Sequence, residues 1–112
     1  MIVVRGTITI DPDKRSAALA GSIPFQLATR NEEPGCLAYV FAPDPCADDV
    51  ISVFELWEDG PSLAAHFEHP NYFKMREHLH VSGITGADTW KHRVDATARV
   101  YNAERKATVD FD

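Results

Sequence analysis

Apolar and polar positions alternate over residues 2–10, IVVRGTITI, with Ile2, Val4, Ile8 and Ile10 on one face and Val3, Arg5, Thr7 and Thr9 on the other. A period of two among β-branched side chains predicts a strand. Asp11 then offers an N-cap, Pro12 suits the first helical position, and Asp13 adds negative charge to the first turn. The spacing predicts a helix from Pro12 towards Arg30 that buries Ala17, Ala20, Ile23 and Leu27. An interior proline costs ~3 kcal/mol, so Gly21 and Pro24 predict a kink or break near Ser22. Glu33-Pro34-Gly35 ends the element.

Residues 36–42, CLAYVFA, and 50–57, VISVFELW, predict two more strands, separated by a turn rich in Pro and Asp. Residues 61–81 read as helix, with Leu63, Phe67, Tyr72, Met75 and Leu79 as burial candidates. His69-Pro70 divides that stretch in two, because proline disfavours helical geometry in the residue before it. Gly83 and Gly86 predict a loop, and a last strand is expected from Thr89 to Ala98. The order is β-α-β-β-α-β, the ferredoxin-like α+β sandwich. It occupies residues 1–101 as one domain, with a polar tail over 102–112 that is either disordered or an arm lying on a partner.

Two helices cover one face of a four-stranded sheet, yet the second and third strands are apolar on both. Ile51, Val53 and Trp57 oppose Val50, Phe54 and Leu56, while Leu37, Tyr39 and Phe41 oppose Ala38 and Val40. A solvated face would alternate with polar residues. A second copy of the chain is the simplest cover, so a homodimer is expected.

Composition narrows the function classes. The 112 residues carry 11 Lys plus Arg against 17 Asp plus Glu, a net charge of −6, with no basic run. Nucleic acid is therefore not an expected partner. No apolar run approaches the ~18 residues that span a bilayer, and no cleavable signal pattern opens the chain, so no membrane association and a cytoplasmic location are expected. Cys36 and Cys46 form no CxxC pair and read as free thiols.

The turn Glu33-Pro34-Gly35-Cys36-Leu37, the strand end Phe54-Glu55-Leu56-Trp57-Glu58-Asp59, and His66 shortly before Pro70-Asn71-Tyr72-Phe73 occur in one order and spacing. In these motifs the chain resembles the antibiotic biosynthesis monooxygenase family over roughly residues 1–98. The resemblance implies a dimeric α+β barrel built from ferredoxin-like subunits. It also implies a cofactor-free monooxygenase, using molecular oxygen on a small aromatic, phenolic or quinol-type substrate with no metal, flavin or haem. The haem-degrading branch of the fold is disfavoured: residues 2–10 hold no Asn and residues 61–81 no Trp.

Such chemistry needs a base near neutrality, a dry pocket and a donor for the developing anion. His66 is the expected base and Trp57 the pocket wall and N–H donor. Tyr72 and Asn71 are expected to hydrogen-bond the substrate, and Phe67, Phe73 and Tyr39 to line its pocket. Glu55, the one charge in an apolar strand, is either a pocket acid or, preferably, the buried partner of a cation such as Arg5. His78 and His80 lie on different helix faces and no HExxH spacing occurs, so no metal site is expected. Two other functions use the same features: an isomerase acting by enolisation, and a dimeric small-ligand-binding protein without catalysis.

Overall fold

The computed structural model describes residues 1–112. Strand β1 (Ile2–Ile10) leads into helix α1 (Pro12–Glu32), followed by β2 (Cys36–Pro43), β3 (Val50–Trp57), α2 (Gly60–Glu68), α3 (Pro70–Val81) and β4 (Ile84–Arg93). The four strands form one antiparallel sheet in the order β2-β3-β1-β4, the ferredoxin-like arrangement. No helix is long and apolar enough to cross a membrane.

Pairing of Val4 with Glu55 and of Ile8 with Ile51 sets which side chains share a face. Ile8, Ile10, Tyr39, Ile51, Val53 and Trp57 point towards the helices and pack with Leu63, Met75 and Leu79. The helix pair α2–α3 divides as the proline predicts, at His69, whose Nδ1 accepts the Asn71 N–H at 3.0 Å and so caps α3.

Helix α1 departs from expectation twice. It runs unbroken through Pro24, and it buries Ala18, Ser22, Gln26 and Thr29 rather than the expected stripe. Ala17 and Ala20 are exposed, as are Ile23 and Leu27 at 54% and 47%. The reason is polar. Gln26 clasps the outer edge of β2: its Oε1 accepts the Phe41 N–H, and its Nε2 donates to the Phe41 carbonyl, both at 3.1 Å. Nε2 also donates to Ser22 Oγ, and Arg30 Nε donates to the Tyr39 carbonyl. On the other side of the proline, Arg15 donates to the carbonyls of Asp44, Ala47 and Val50, tying down the β2–β3 turn. Anchors on both flanks offset the missing Pro24 N–H and hold the helix in line.

The last strand also begins earlier than expected. β4 starts at Ile84, directly after Gly83 turns the chain at φ 91°, so Gly86 lies inside the strand and Val94 to Ala98 lie beyond it. Pairing of β4 along the whole of β1, from Ile10↔Ile84 to Ile2↔Arg93, decides this over local propensity.

The sheet face away from the helices is open. It presents Val40, Phe54 and Trp90, exposed at 37%, 43% and 55%. A register shift after Cys36 leaves Leu37 outside the buried row, at 52% exposed. Beyond β4, Asn102 organises a small hairpin closed by Tyr101 and Ala107, in which Val100 and Tyr101 remain over 60% exposed. The whole chain exposes 7626 Å², ~1,400 Å² more than a compact monomer of this mass would.

Gln26→Leu keeps the volume but strips the partners from the Phe41 N–H and carbonyl. Urea unfolding should show a loss of about 1–3 kcal/mol. An unchanged midpoint would mean that the edge of β2 is satisfied by water instead.

Candidate functional site

The site begins where α1 ends. Glu33 caps the helix, its N–H donating to the Thr29 carbonyl, and Pro34-Gly35 turns the chain into β2. A side chain on Gly35 would collide with Ser62, so glycine lets this turn abut the first turn of α2. Asp59 fixes that turn by accepting the Ser62 N–H at 2.8 Å. The result places His66, one and a half turns along α2, directly over the Glu33 carboxylate.

His66 Nδ1 lies 2.9 Å from Glu33 Oε1, and Asn71 Nδ2 donates to Glu33 Oε2 at 3.2 Å. Both members of the pair are buried, at 2% and 7% exposure. The imidazole packs against Trp57 at 4.5 Å between centroids, tilted by 36°, and makes edge contacts with Tyr39 and Tyr72 at 5.6 and 5.4 Å. Burial lowers the His66 pKa below the ordinary value, outweighing the hydrogen bond and charge of Glu33, which raise it. The ring is therefore neutral at pH 7. Its carboxylate partner assigns the proton to Nδ1, leaving a lone pair on Nε2, which no protein group engages.

His66 forms part of the wall of a cavity of about 420 Å³ between the sheet and α2–α3. Eleven of its fifteen lining residues are hydrophobic, and the exceptions are Glu55, His66, Arg76 and Thr89. Such a lining suits a flat apolar guest. A second depression, of about 410 Å³ on the far side of Glu33, is lined mostly by polar and acidic groups such as Glu32, Glu58 and Asp59.

Of the residues expected at the site, His66, Tyr39, Phe67 and Tyr72 line the cavity. Burial, with the charges of Glu55 and Glu33, pushes the Tyr39 phenol far above its usual range and keeps it protonated. Trp57 does not reach the wall: it is wholly buried behind His66, and its indole N–H donates to Glu55 Oε1 at 3.0 Å, so it has none to offer a guest. Asn71 is buried and holds Glu33 rather than a substrate. Phe73, half exposed, lies on the outer side of α3 near Phe25 and His78.

The expected pairing of Glu55 with Arg5 does not occur. Arg5 sits opposite Phe54 in the register and so occupies the other sheet face. There it donates to His92 and lies over the Trp90 ring at 5.9 Å. Glu55 is left buried without a cation, and burial raises its pKa to about 7, with the charge of Glu33 adding and the Trp57 hydrogen bond opposing. Cys36 is likewise pushed up to about 11 by burial and by the same two carboxylates, which leaves an unreactive thiol. No three His, Cys, Asp or Glu side chains gather as a metal-binding set.

Sequence reasoning missed Glu33 and Arg76. Glu33 was visible as the first residue of the Glu-Pro-Gly-Cys turn, but a turn motif does not say which side chain its carboxylate will meet.

The family model for antibiotic biosynthesis monooxygenases matches residues 1–78, which include β1 to α2 and most of α3. The chain belongs to the antibiotic biosynthesis monooxygenase family. Within that family's span lie Glu33, Glu55, Trp57, His66 and Asn71. The chain is 37% identical over 76 residues to the uncharacterized protein sll1783 of Synechocystis sp., covering 68% of this chain and 51% of the relative. It thus spans about half the length of the curated relative it matches. Solved structures that share the fold include two of similar length. A candidate antibiotic biosynthesis monooxygenase from Deinococcus radiodurans superposes with a TM-score of 0.80 at 18% identity, over 91% of this chain and 100% of that one. Rv0793 from Mycobacterium tuberculosis gives 0.73 at 21% identity, over 88% and 98%.

The Glu55 environment makes a stability prediction whose sign is unusual for a carboxyl. Its pKa is raised from 4.5 to about 7 on folding, so the native state holds the proton more tightly than the unfolded chain. Stability from this group is lost as pH rises from about 4.5 to about 7 and stays lost above. Glu55→Gln should remove that loss. Compared by urea unfolding at pH 5 and pH 8, the variant should gain on the wild type by ~3 kcal/mol at most. His66 titrates in both proteins, so its opposite trend cancels in the comparison.

Proposed function

We propose that the protein is a cofactor-independent monooxygenase that oxidises a small aromatic, phenolic or quinol-type compound with molecular oxygen, acting as a homodimer. The observation that carries this reading is the free Nε2 of a neutral, carboxylate-anchored His66 at the wall of an apolar cavity. A phenol or enol gives up an electron to oxygen only as its anion, so the enzyme's first task is to take a proton. Nε2 is the acceptor, and the imidazolium that forms is stabilised by Glu33, as a carboxylate steadies the histidine of a hydrolase triad. Water exclusion then keeps the anion reactive.

The balance closes without an added reductant. One atom of oxygen bonds to the substrate carbon and the other leaves as water. A ring C–H carbon ortho or para to the phenolate, which is a CH₂ in the keto tautomer, becomes a carbonyl, and the substrate supplies all four electrons. Phe67, Tyr39 and Tyr72 form the walls that hold the ring beside Nε2. Asn71 acts one step back, fixing the Glu33 carboxylate.

A second reading, isomerisation of a small ketone through its enol, is favoured by one feature, the presence of a second proton carrier, Glu55, in the same cavity. Oxygen uptake separates the two: it accompanies substrate loss only in the first.

The homodimer is supported by the open apolar sheet face and by the surplus of exposed surface, which exceeds the ~800 Å² each partner contributes to a standard interface. Sedimentation should give twice the chain mass at micromolar concentration, and Phe54→Lys should shift it towards the monomer. A wild-type monomer would end that part of the proposal.

His66→Ala should lower turnover of an accepted quinol by about 10²–10⁴, as measured with an oxygen electrode. Glu33→Gln should cost less and should weaken the basicity of His66, moving the acidic limb of the pH profile down. Wild-type rates in both variants would remove His66 from the chemistry.

A further inference from the structure

Glu55 is the one carboxylate in the cavity wall, and it is 8% exposed. Its one hydrogen bond comes from Trp57 to Oε1, and no Lys, Arg or His pairs with it. A buried carboxylate with a purely structural role is normally matched by a cation, because an unpaired charge there is strongly penalised. The neighbours on its face of β3, Ile51, Val53 and Trp57, show that the row accepts apolar side chains. The only fully occluded side-chain polar atom without a partner is Thr29 Oγ1. Oε2 of Glu55, which also has no protein partner, is therefore reached from the cavity, as is Nε2 of His66.

We infer that Glu55 is a second catalytic group of this cavity: its protonated carboxyl donates from Oε2 to a carbonyl oxygen of the substrate while His66 Nε2 accepts from a hydroxyl of the same molecule. The inference rests on the acid–base reading of the cavity given above and narrows its substrate class. One acceptor and one donor in an apolar slot fit a planar conjugated hydroxy-carbonyl compound, such as a hydroxyaryl ketone. When His66 takes the hydroxyl proton, the negative charge spreads through the ring to the carbonyl oxygen, where the Glu55 hydrogen bond strengthens. Glu55 keeps its proton, and no bond to carbon forms at this step. A neutral carboxylic acid held in an apolar site is well suited to stabilise such an anion.

The surroundings keep Glu55 largely protonated below about pH 7. Burial pushes its pKa to about 7. Glu33 at the end of α1 adds to this, and the Trp57 N–H opposes it. Cys36 and Tyr39 on β2 and His66 on α2 complete the titratable neighbours, all neutral at pH 7. Arg76 of α3 lies at the cavity's exposed side, and Lys91, in the same cross-strand row beyond Val4, is exposed. β1 presents only Val4 to Glu55.

The test uses 4-hydroxybenzaldehyde, which carries a hydroxyl and a conjugated carbonyl at opposite ends of one ring, with phenol as the probe that lacks the carbonyl. Binding is measured without oxygen at about pH 6, where both probes are un-ionised. The wild type should prefer the aldehyde by about tenfold, the worth of one well-made hydrogen bond. Glu55→Gln, whose amide still donates, should keep most of the preference, and Glu55→Leu should abolish it. Independently of any variant, a ¹³C label in the aldehyde carbonyl should move downfield on binding to the wild type. No preference and no carbonyl shift, or a preference untouched in Glu55→Leu, overturns the assignment. Binding of neither probe overturns it together with the cavity reading. A preserved preference with no oxygen uptake on any quinol sinks the oxygenase reading and leaves the Glu55 donor standing.

Discussion

The hydrogen bond from His66 to Glu33 ties the C-terminal end of α1 to α2. Glu33 terminates α1, His66 sits in α2, and Asn71 at the start of α3 closes on the same carboxylate. Three helical segments thus converge on two oxygen atoms. Removing any one partner leaves a buried polar group unsatisfied, so the network specifies one arrangement of the helices over the sheet. It also sets the histidine tautomer, and through that the only basic nitrogen presented to the cavity.

Tight local packing makes the network possible. Gly35 lets the turn after α1 press against Ser62, and Asp59 caps α2 at the right height. Trp57 lies beneath the imidazole and ties it to Glu55, so the two proton-carrying groups share a rigid aromatic spacer. Trp57 therefore fixes the placement of both side chains. Its indole is exhausted by Glu55, and its ring supports His66 without meeting a guest.

The fold was legible in the chain because β1 alternates, most prolines and the acidic caps sit at element boundaries, and the element order is that of a known sandwich. Ile8 and Ile10 could be assigned to the core from period alone; Ile51 and Val53 could not, because β3 is apolar on both faces. Helix α1 resisted the same logic. Its inward stripe of Ser22, Gln26 and Thr29 is polar, because it serves a strand edge instead of a hydrophobic layer, and hydrophobic period cannot detect that. The site was half legible. His66, Tyr39, Phe67 and Tyr72, expected together from residue type and motif position, do line one cavity. The partner of His66 was not legible, since Glu33 and His66 are 33 residues apart and only the register of the whole sheet brings them together. Register also decided against Arg5 as the partner of Glu55: neighbours in sequence on adjacent strands take opposite faces when their pairing is offset by one.

The clasp of Gln26 and Arg30 on β2 has a consequence for how copies of this chain can meet. A sheet that is bare along both edges can stack head to tail without limit, each newcomer offering a fresh edge to the next. Here one edge is already occupied by side chains of the protein's own helix, and only β4 remains open. Edge-to-edge growth needs two free borders per copy, and this chain has one. Any association through strand pairing must therefore stop at a closed pair, which makes the polar stripe of α1 a safeguard against fibres as well as a brace for the helix.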